Sequence, residues 1–214
     1  MILALLIAAA ASTASPAPEG VDFTSRTGEA GKTFPYIEHF LKLPPAEHTD
    51  FTVAYYFRRE GRPSGDAGAV LTDAGVQVPL PVAPDGRFLA LPTLAQVRNH
   101  DLVTFNVPDR TPMRVRIGLA PLAPPSTSMD AAAVVRAINQ ANAAIHRLAG
   151  PFGVAVPRLK KAVFDSAEGG AAVLADGTIV ALPANKDGLY YEPSKLKNAV
   201  TLTFTRAGGH IDIQ

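Results

Sequence analysis

The sequence predicts a mainly β (α+β) fold: two related antiparallel β-sheet or sandwich units from an internal duplication, flanking one long amphipathic helix. Three observations predict it. Several short segments alternate apolar and polar side chains, the signature of strands with one buried face. One series of turn residues occurs twice in the same order. A single stretch between the two series carries apolar residues at helical spacing.

Taken in order, the chain opens on Met1 to Ala11, an apolar run without a charged side chain. That run has the length of the apolar core of an export signal and falls short of the roughly 20 residues that span a bilayer. The small residues Ser12 and Ala14 suit cleavage before Ser15. Residues 1–14 therefore read as a signal peptide, and the mature chain as exported to the bacterial periplasm or beyond. Residues 15–33 read as a flexible N-terminal segment.

The first β-unit is expected over 34–120. A short helix is expected around Pro35 to Leu43, where Tyr36, Phe40 and Leu43 share a face. Phe51, Val53, Tyr55 and Phe57 then alternate with Thr52, Ala54, Tyr56 and Arg58. Val103, Phe105 and Val107 form a second alternating run, and Met113, Val115, Ile117 and Leu119 a third. The connections are too short for parallel crossovers, so the sheets should be antiparallel.

Residues 121–150 read as a linker and a helix. Pro121 to Ser128 is the linker. From about Met129 to Ala149, the residues Val134, Ile138, Ala141, Ile145 and Leu148 mark one helix face. Thr127 and Asp130 suggest a capping box, and Gly150-Pro151 ends the helix. The second unit, 151–214, has its alternation at Val200, Leu202 and Phe204. It is short for an independent domain, so the helix should complete its core.

The duplication rests on an ordered set of matches. Ala69-Val70-Leu71 with Asp73 corresponds to Ala172-Val173-Leu174 with Asp176. Leu80-Pro81 corresponds to Leu182-Pro183, and Pro92-Thr93 to Pro193-Ser194. The turn residues follow suit: Asp73, Gly75, Asp85 and Gly86 in the first copy, Asp176, Gly177, Asp187 and Gly188 in the second. Glycine there supplies positive φ at little cost, and proline ends strand pairing.

Composition narrows the chemistry. The chain has 214 residues, 47% hydrophobic and 18% charged, a formal net charge of +1, no Cys and no Trp. That balance excludes disorder and argues against a dedicated nucleic-acid binder. Without Cys there are no disulfides, thiolate metal sites or thiol catalysis. The Glu38-His39 and Glu47-His48 pairs lack the spacing of a metal site. Ser194 and Lys197 have an S-x-x-K spacing without its partner motifs. No catalytic residue, metal or cofactor is expected.

Binding candidates are the strand residues Tyr56, Tyr190, Tyr191, Arg114 and Arg116, together with His210. In the adjacent pairs Tyr55-Tyr56 and Tyr190-Tyr191, one tyrosine should be buried and the other exposed. The functional expectation is an exported, non-catalytic cell-envelope protein with a binding or structural role. Its partner would be an envelope protein or a polysaccharide, with no nucleic acid and no transmembrane segment in the mature chain. The alternative is an envelope hydrolase whose active site, using His146, His210 or Asp212, assembles between the two units.

Overall fold

The computed structural model describes residues 20–23, 26–65, 68–108, 110–150 and 156–214. The expected signal peptide lies outside the described residues. Within the segment read as flexible, the chain forms strands β1 (Gly20–Phe23) and β2 (Thr27–Glu29) and the helical turn α1 (Ala30–Thr33). The helix expected after Pro35 is α2 (Ile37–Leu41). Then come β3 (Phe51–Arg59), β4 (Arg62–Pro63), β5 (Ala69–Asp73), β6 (Val76–Leu80), α3 (Leu94–Arg98), β7 (Leu102–Phe105) and β8 (Met113–Pro121).

The second unit starts with β9 (Ser128–Asp130), which runs straight into the long helix α4 (Ala131–Ala149). It continues through β10 (Ala162–Asp165), β11 (Ala171–Leu174), β12 (Ile179–Ala181), β13 (Ala184–Asn185), β14 (Gly188–Tyr191), β15 (Ala199–Thr203) and β16 (His210–Ile213). The fold is thus mainly β, with four antiparallel sheets and one long helix. Among the described residues, no helix is long and apolar enough to cross a membrane.

The sheets fall into two pairs. In the first unit the orders are β1-β8-β3-β4 and β2-β7-β5-β6. In the second they are β13-β14-β10-β16 and β12-β11-β15-β9. The orders β6-β5-β7-β2 and β12-β11-β15-β9 match strand for strand. In both, the last strand leads directly into a helix, α1 after Glu29 and α4 after Asp130. The long helix stands between the two units, as expected, and packs with the second, whose strand β9 pairs with β15 just before the helix begins.

The turns correspond as well. Phe57 N–H donates to the Gly86 carbonyl, and Phe88 N–H to the Tyr55 carbonyl, which binds the 86–88 segment to β3. Likewise β14 pairs with β10 through Phe164 and Leu189. Gly86 has φ +85° and Gly188 φ +134°, and a Cβ on either would stand 2.5 Å from the carbonyl oxygen of Phe57 or Phe164 respectively. Only glycine fits at such an approach.

Each unit has its own core. The first gathers Phe34, Val53, Tyr55, Phe57, Leu71, Val103, Phe105 and Val115 from both of its sheets. Phe34 meets Tyr55 and Phe88 edge-on, at 5.1 and 5.0 Å between ring centroids. The second core sets α4 against Phe164, Tyr191, Leu202 and Ile211, and takes in Leu43 and Phe51 from the first unit.

Three local expectations are corrected. The buried stripe of α4 is Ala131, Val134, Ala137, Ile138, Ala141 and Ala144, while Leu148 is exposed. Alanines let the helix lie close to the sheet, and the stripe is rotated toward them. The N-cap of α4 is Asp130 itself, which accepts from Ala132 N–H. The capping box sits instead on α3, where Thr93 and Gln96 bond each other's backbone. Val200 is exposed because the β11–β15 register shifts at Val173/Leu174, which brings Ala199 opposite Leu174.

A charged junction between the two units

The outward faces of β3 and β8 carry the residues left over from the core alternation. Tyr56 lies opposite Arg116, and Arg58 opposite Arg114. A bridge ties Tyr56 to Arg87. In the second unit, the outward faces of β10 and β16 set Asp165 opposite His210 and Val163 opposite Asp212. Tyr190 stands opposite Val163 on β14.

Counting from Phe57 and Phe164, whose partners are Val115 and Ile211, aligns the two faces. Arg58 then corresponds to Asp165, Arg114 to His210 and Arg116 to Asp212. Equivalent positions carry arginine in the first unit and acid or imidazole in the second.

These faces meet where β16 packs on β8. The Tyr56 and His210 rings lie 5.0 Å apart, tilted by 44°. Asp212 reaches the backbone of Gly118, where a Cβ would stand 2.8 Å from its Oδ1. His210 is ringed by carboxylates. Its Nδ1 is 3.7 Å from Asp165 Oδ2 and 3.9 Å from Asp85 Oδ2, and its Nε2 is 3.8 Å from Asp212 Oδ2. Asp85 belongs to the first unit, so the His210–Asp85 pair crosses the junction. Asp165 Oδ2 also accepts from the Ser166 hydroxyl.

Burial shapes the electrostatics. Four buried side-chain polar atoms among the described residues lack a hydrogen-bond partner: Tyr56 Oη, His210 Nδ1, Asp212 Oδ1 and Asp101 Oδ2. The first three are in this junction. Burial, more than any neighbour, raises the Asp212 carboxyl above the usual aspartate range. Asp165 and Asp187 push the same way, while His210 and Arg116 oppose it. Burial likewise raises the Tyr56 hydroxyl, helped by Asp212 and Asp85 and opposed by Arg87 and Arg116.

The structure therefore brings Tyr56, Arg116 and His210 together, three of the candidates read from the sequence. Tyr56 is only 8% exposed, so both members of the Tyr55-Tyr56 pair are buried. The second unit covers the face that alternation alone leaves open. Arg114 is on the same face and exposed. Tyr190 is half-buried, with Lys161 Nζ 5.3 Å above its ring. Tyr191 is a core residue, 1% exposed, and its hydroxyl is raised by burial. Nothing in the sequence pattern marks Asp85 or Asp165 as a site residue. Asp85 reads from sequence only as a turn former, and it does fill that role by accepting from Arg87 N–H.

A concave feature lies at the β3–β4 end. An open cleft of about 600 Å³ is lined by Arg59, Glu60, Arg62, Pro63, Ser64, Gly65, Val82 and Pro84. Pro84 adjoins Asp85 of the junction. Elsewhere, Ser194 donates to Glu192, which also pairs with Lys195. His146 is in the last turn of α4. Among the described residues, no group of three or more His, Asp or Glu side chains is arranged to hold a metal ion.

No family model matches the chain, and neither does any curated protein or solved structure.

Proposed function

We propose that the chain is an exported, non-catalytic binding protein of the cell envelope, whose two units arose by duplication. It would bind an anionic partner, a polysaccharide or an acidic protein surface, at the arginine-rich end of the first unit. The carrying observation is that two arginines line an open cleft there, with a further pair on the other face of the same strands. Arg59 and Arg62 line one open cleft, and Arg58 and Arg114 stand opposite each other on the adjoining strands. In a chain of net charge +1, such a concentration is local. Guanidinium forks match carboxylate and sulfate or phosphate oxygens. The apolar wall of Val82, Pro63 and Pro84 suits the faces of sugar rings.

The duplication is supported by the matching strand orders and by the paired glycines Gly86 and Gly188. Export is supported by the apolar leader sequence alone.

Binding of an anionic polysaccharide by the purified chain, measured by calorimetry over a salt series, tests the reading. Affinity should fall steeply with salt. It should fall about tenfold or more in the Arg59→Ala/Arg62→Ala double variant. No binding at low salt would reject it. The alternative, an envelope hydrolase, draws on His210 and its carboxylates. Their separations of 3.7 to 3.9 Å exceed the roughly 3.2 Å hydrogen-bond reach of a positioned acid–base pair.

A further inference from the structure

His210 has an unusual place in this fold. It belongs to the last strand of the second unit, yet one of its three carboxylate neighbours, Asp85, belongs to the first. Each of these contacts is an ion pair only when the imidazole is protonated. Histidine is the side chain whose ordinary titration falls between about pH 5 and 8. We propose that the junction is a proton-operated clasp: protonated His210 draws Asp85 of the first unit and Asp165 of the second around one positive charge, and loss of that proton loosens the docking of the two units.

The groups facing His210 come from every element packed around it. Tyr56 on β3 supplies an aromatic ring at 5.0 Å. The 85–87 turn supplies Asp85 and Arg87, and β8 supplies Arg116 with Arg114 on the same face. Asp165 comes from β10, Asp212 from β16 itself, and Asp187 from the turn between β13 and β14. With the imidazole neutral, four carboxylates share the junction with Arg87 and Arg116, and the charge linking Asp85 to the second unit is gone. His210 is 20% exposed at its side chain, so protons and buffer reach it.

Asp212 acts in the same direction. Its carboxyl is raised by burial, so the docked state favours its protonated form. That contribution is complete below the ordinary aspartate range and is lost as pH rises through the raised value. Docking is then tightest in mild acid and weakens toward neutral and alkaline pH. The clasp adjoins the arginine cleft through Pro84, which precedes Asp85 in the chain.

Amide hydrogen exchange on the full chain, corrected for the intrinsic pH dependence of exchange, tests the clasp. Strands β16 and β8 report on the junction, and β7, inside the first core, is the internal reference. Protection of β16 relative to β7 should fall about tenfold between about pH 5.5 and pH 8, as the contacts of His210 with Asp85 and Asp165 lose their ionic character. His210→Gln and Asp85→Asn should each flatten that dependence. His100→Gln, which alters an exposed contact with Glu29, should retain it. A His210→Gln chain with the wild-type pH dependence would overturn the proposal. Should a variant not fold, the wild-type chain still decides. The His210 ring resonances and the change in protection must share one midpoint, and separate midpoints reject the clasp.

Discussion

Asp212 rests its carboxylate against the bare backbone of Gly118, so closely that a Cβ at position 118 would lie 2.8 Å from Asp212 Oδ1 and 3.1 Å from Tyr56 Cε2. Glycine at 118 therefore sets how near the two units come. Gly118→Ala should push β16 off β8 and cost about 1–3 kcal/mol, the usual range for overpacking. Urea unfolding measures the loss. Gly31→Ala, where the new Cβ would meet Val97 at an ordinary 3.4 Å, should cost little by the same assay.

Three glycines separate the cost of backbone conformation from the cost of crowding. Gly75 has φ +86° with open space around the missing Cβ, so Gly75→Ala should lose about 1 kcal/mol. Gly86 and Gly188 combine positive φ with a carbonyl oxygen 2.5 Å from the missing Cβ. Alanine at either should cost clearly more, about 2–4 kcal/mol, and the two losses should be similar. A Gly86→Ala variant as stable as Gly75→Ala would show that β3 yields readily to the new methyl group.

Alkaline pH should unfold the chain through its tyrosines. The Tyr55 hydroxyl is raised by burial, and it donates to the Pro35 carbonyl at 2.6 Å. Tyr56 and Tyr191 are raised by burial too. A folded state that holds phenols neutral is stable below the unfolded tyrosine value of about 10 and loses that stability as pH rises above it. Absorbance of tyrosinate near 295 nm, a general property of the phenolate, should rise in two steps. Exposed tyrosine ionises first, and Tyr55 and Tyr56 ionise together with loss of the far-ultraviolet β signal. With no Trp in the chain, the signal belongs to tyrosine.

Helix α4 should be indispensable to the second unit. Its stripe from Ala131 to Ala144 forms one wall of the core that contains Phe164, Tyr191, Leu202 and Ile211. Deleting 129–149 should leave residues 156–214 open to protease. The single change Asp130→Ala, which removes the cap on Ala132 N–H, should cost only about 1 kcal/mol. The helix also reaches the first unit. Gln140 accepts from Asp50 N–H, donates to the Ala46 carbonyl and bonds the Thr49 hydroxyl. Arg136 pairs with Asp50.

Much of this architecture is legible in the residue pattern. Alternation at Val53, Tyr55 and Phe57 marks an inward face because every second residue of a strand points the same way. The long helix follows from its spacing and from Gly150. The α3 cap is equally legible, since Thr93 and Gln96 have capping-box spacing, whereas Thr127 and Asp130 share that spacing and α4 is capped by Asp130 alone. What alternation cannot say is what covers the second face. Tyr56 reads as exposed until β16 is laid over it, and Asp85 reads as a turn residue until His210 arrives from a strand 125 positions later in the chain. Contacts between distant strands leave no periodic trace, so the junction emerges only once both units are folded.

The opposite charges on the two faces decide which associations each half can make. Two copies of the first half would bring Arg116 against its own kind, and two copies of the second would oppose Asp165 and Asp212. Like charges so placed repel, so neither half is a partner for itself. The association is directional, head to tail in kind, and the linker at 122–127 closes it within one molecule. A chain in which that linker is stretched would keep both faces on one molecule, free to meet those of a neighbour. The proline-rich connection thus keeps within a single molecule a contact between two unlike faces.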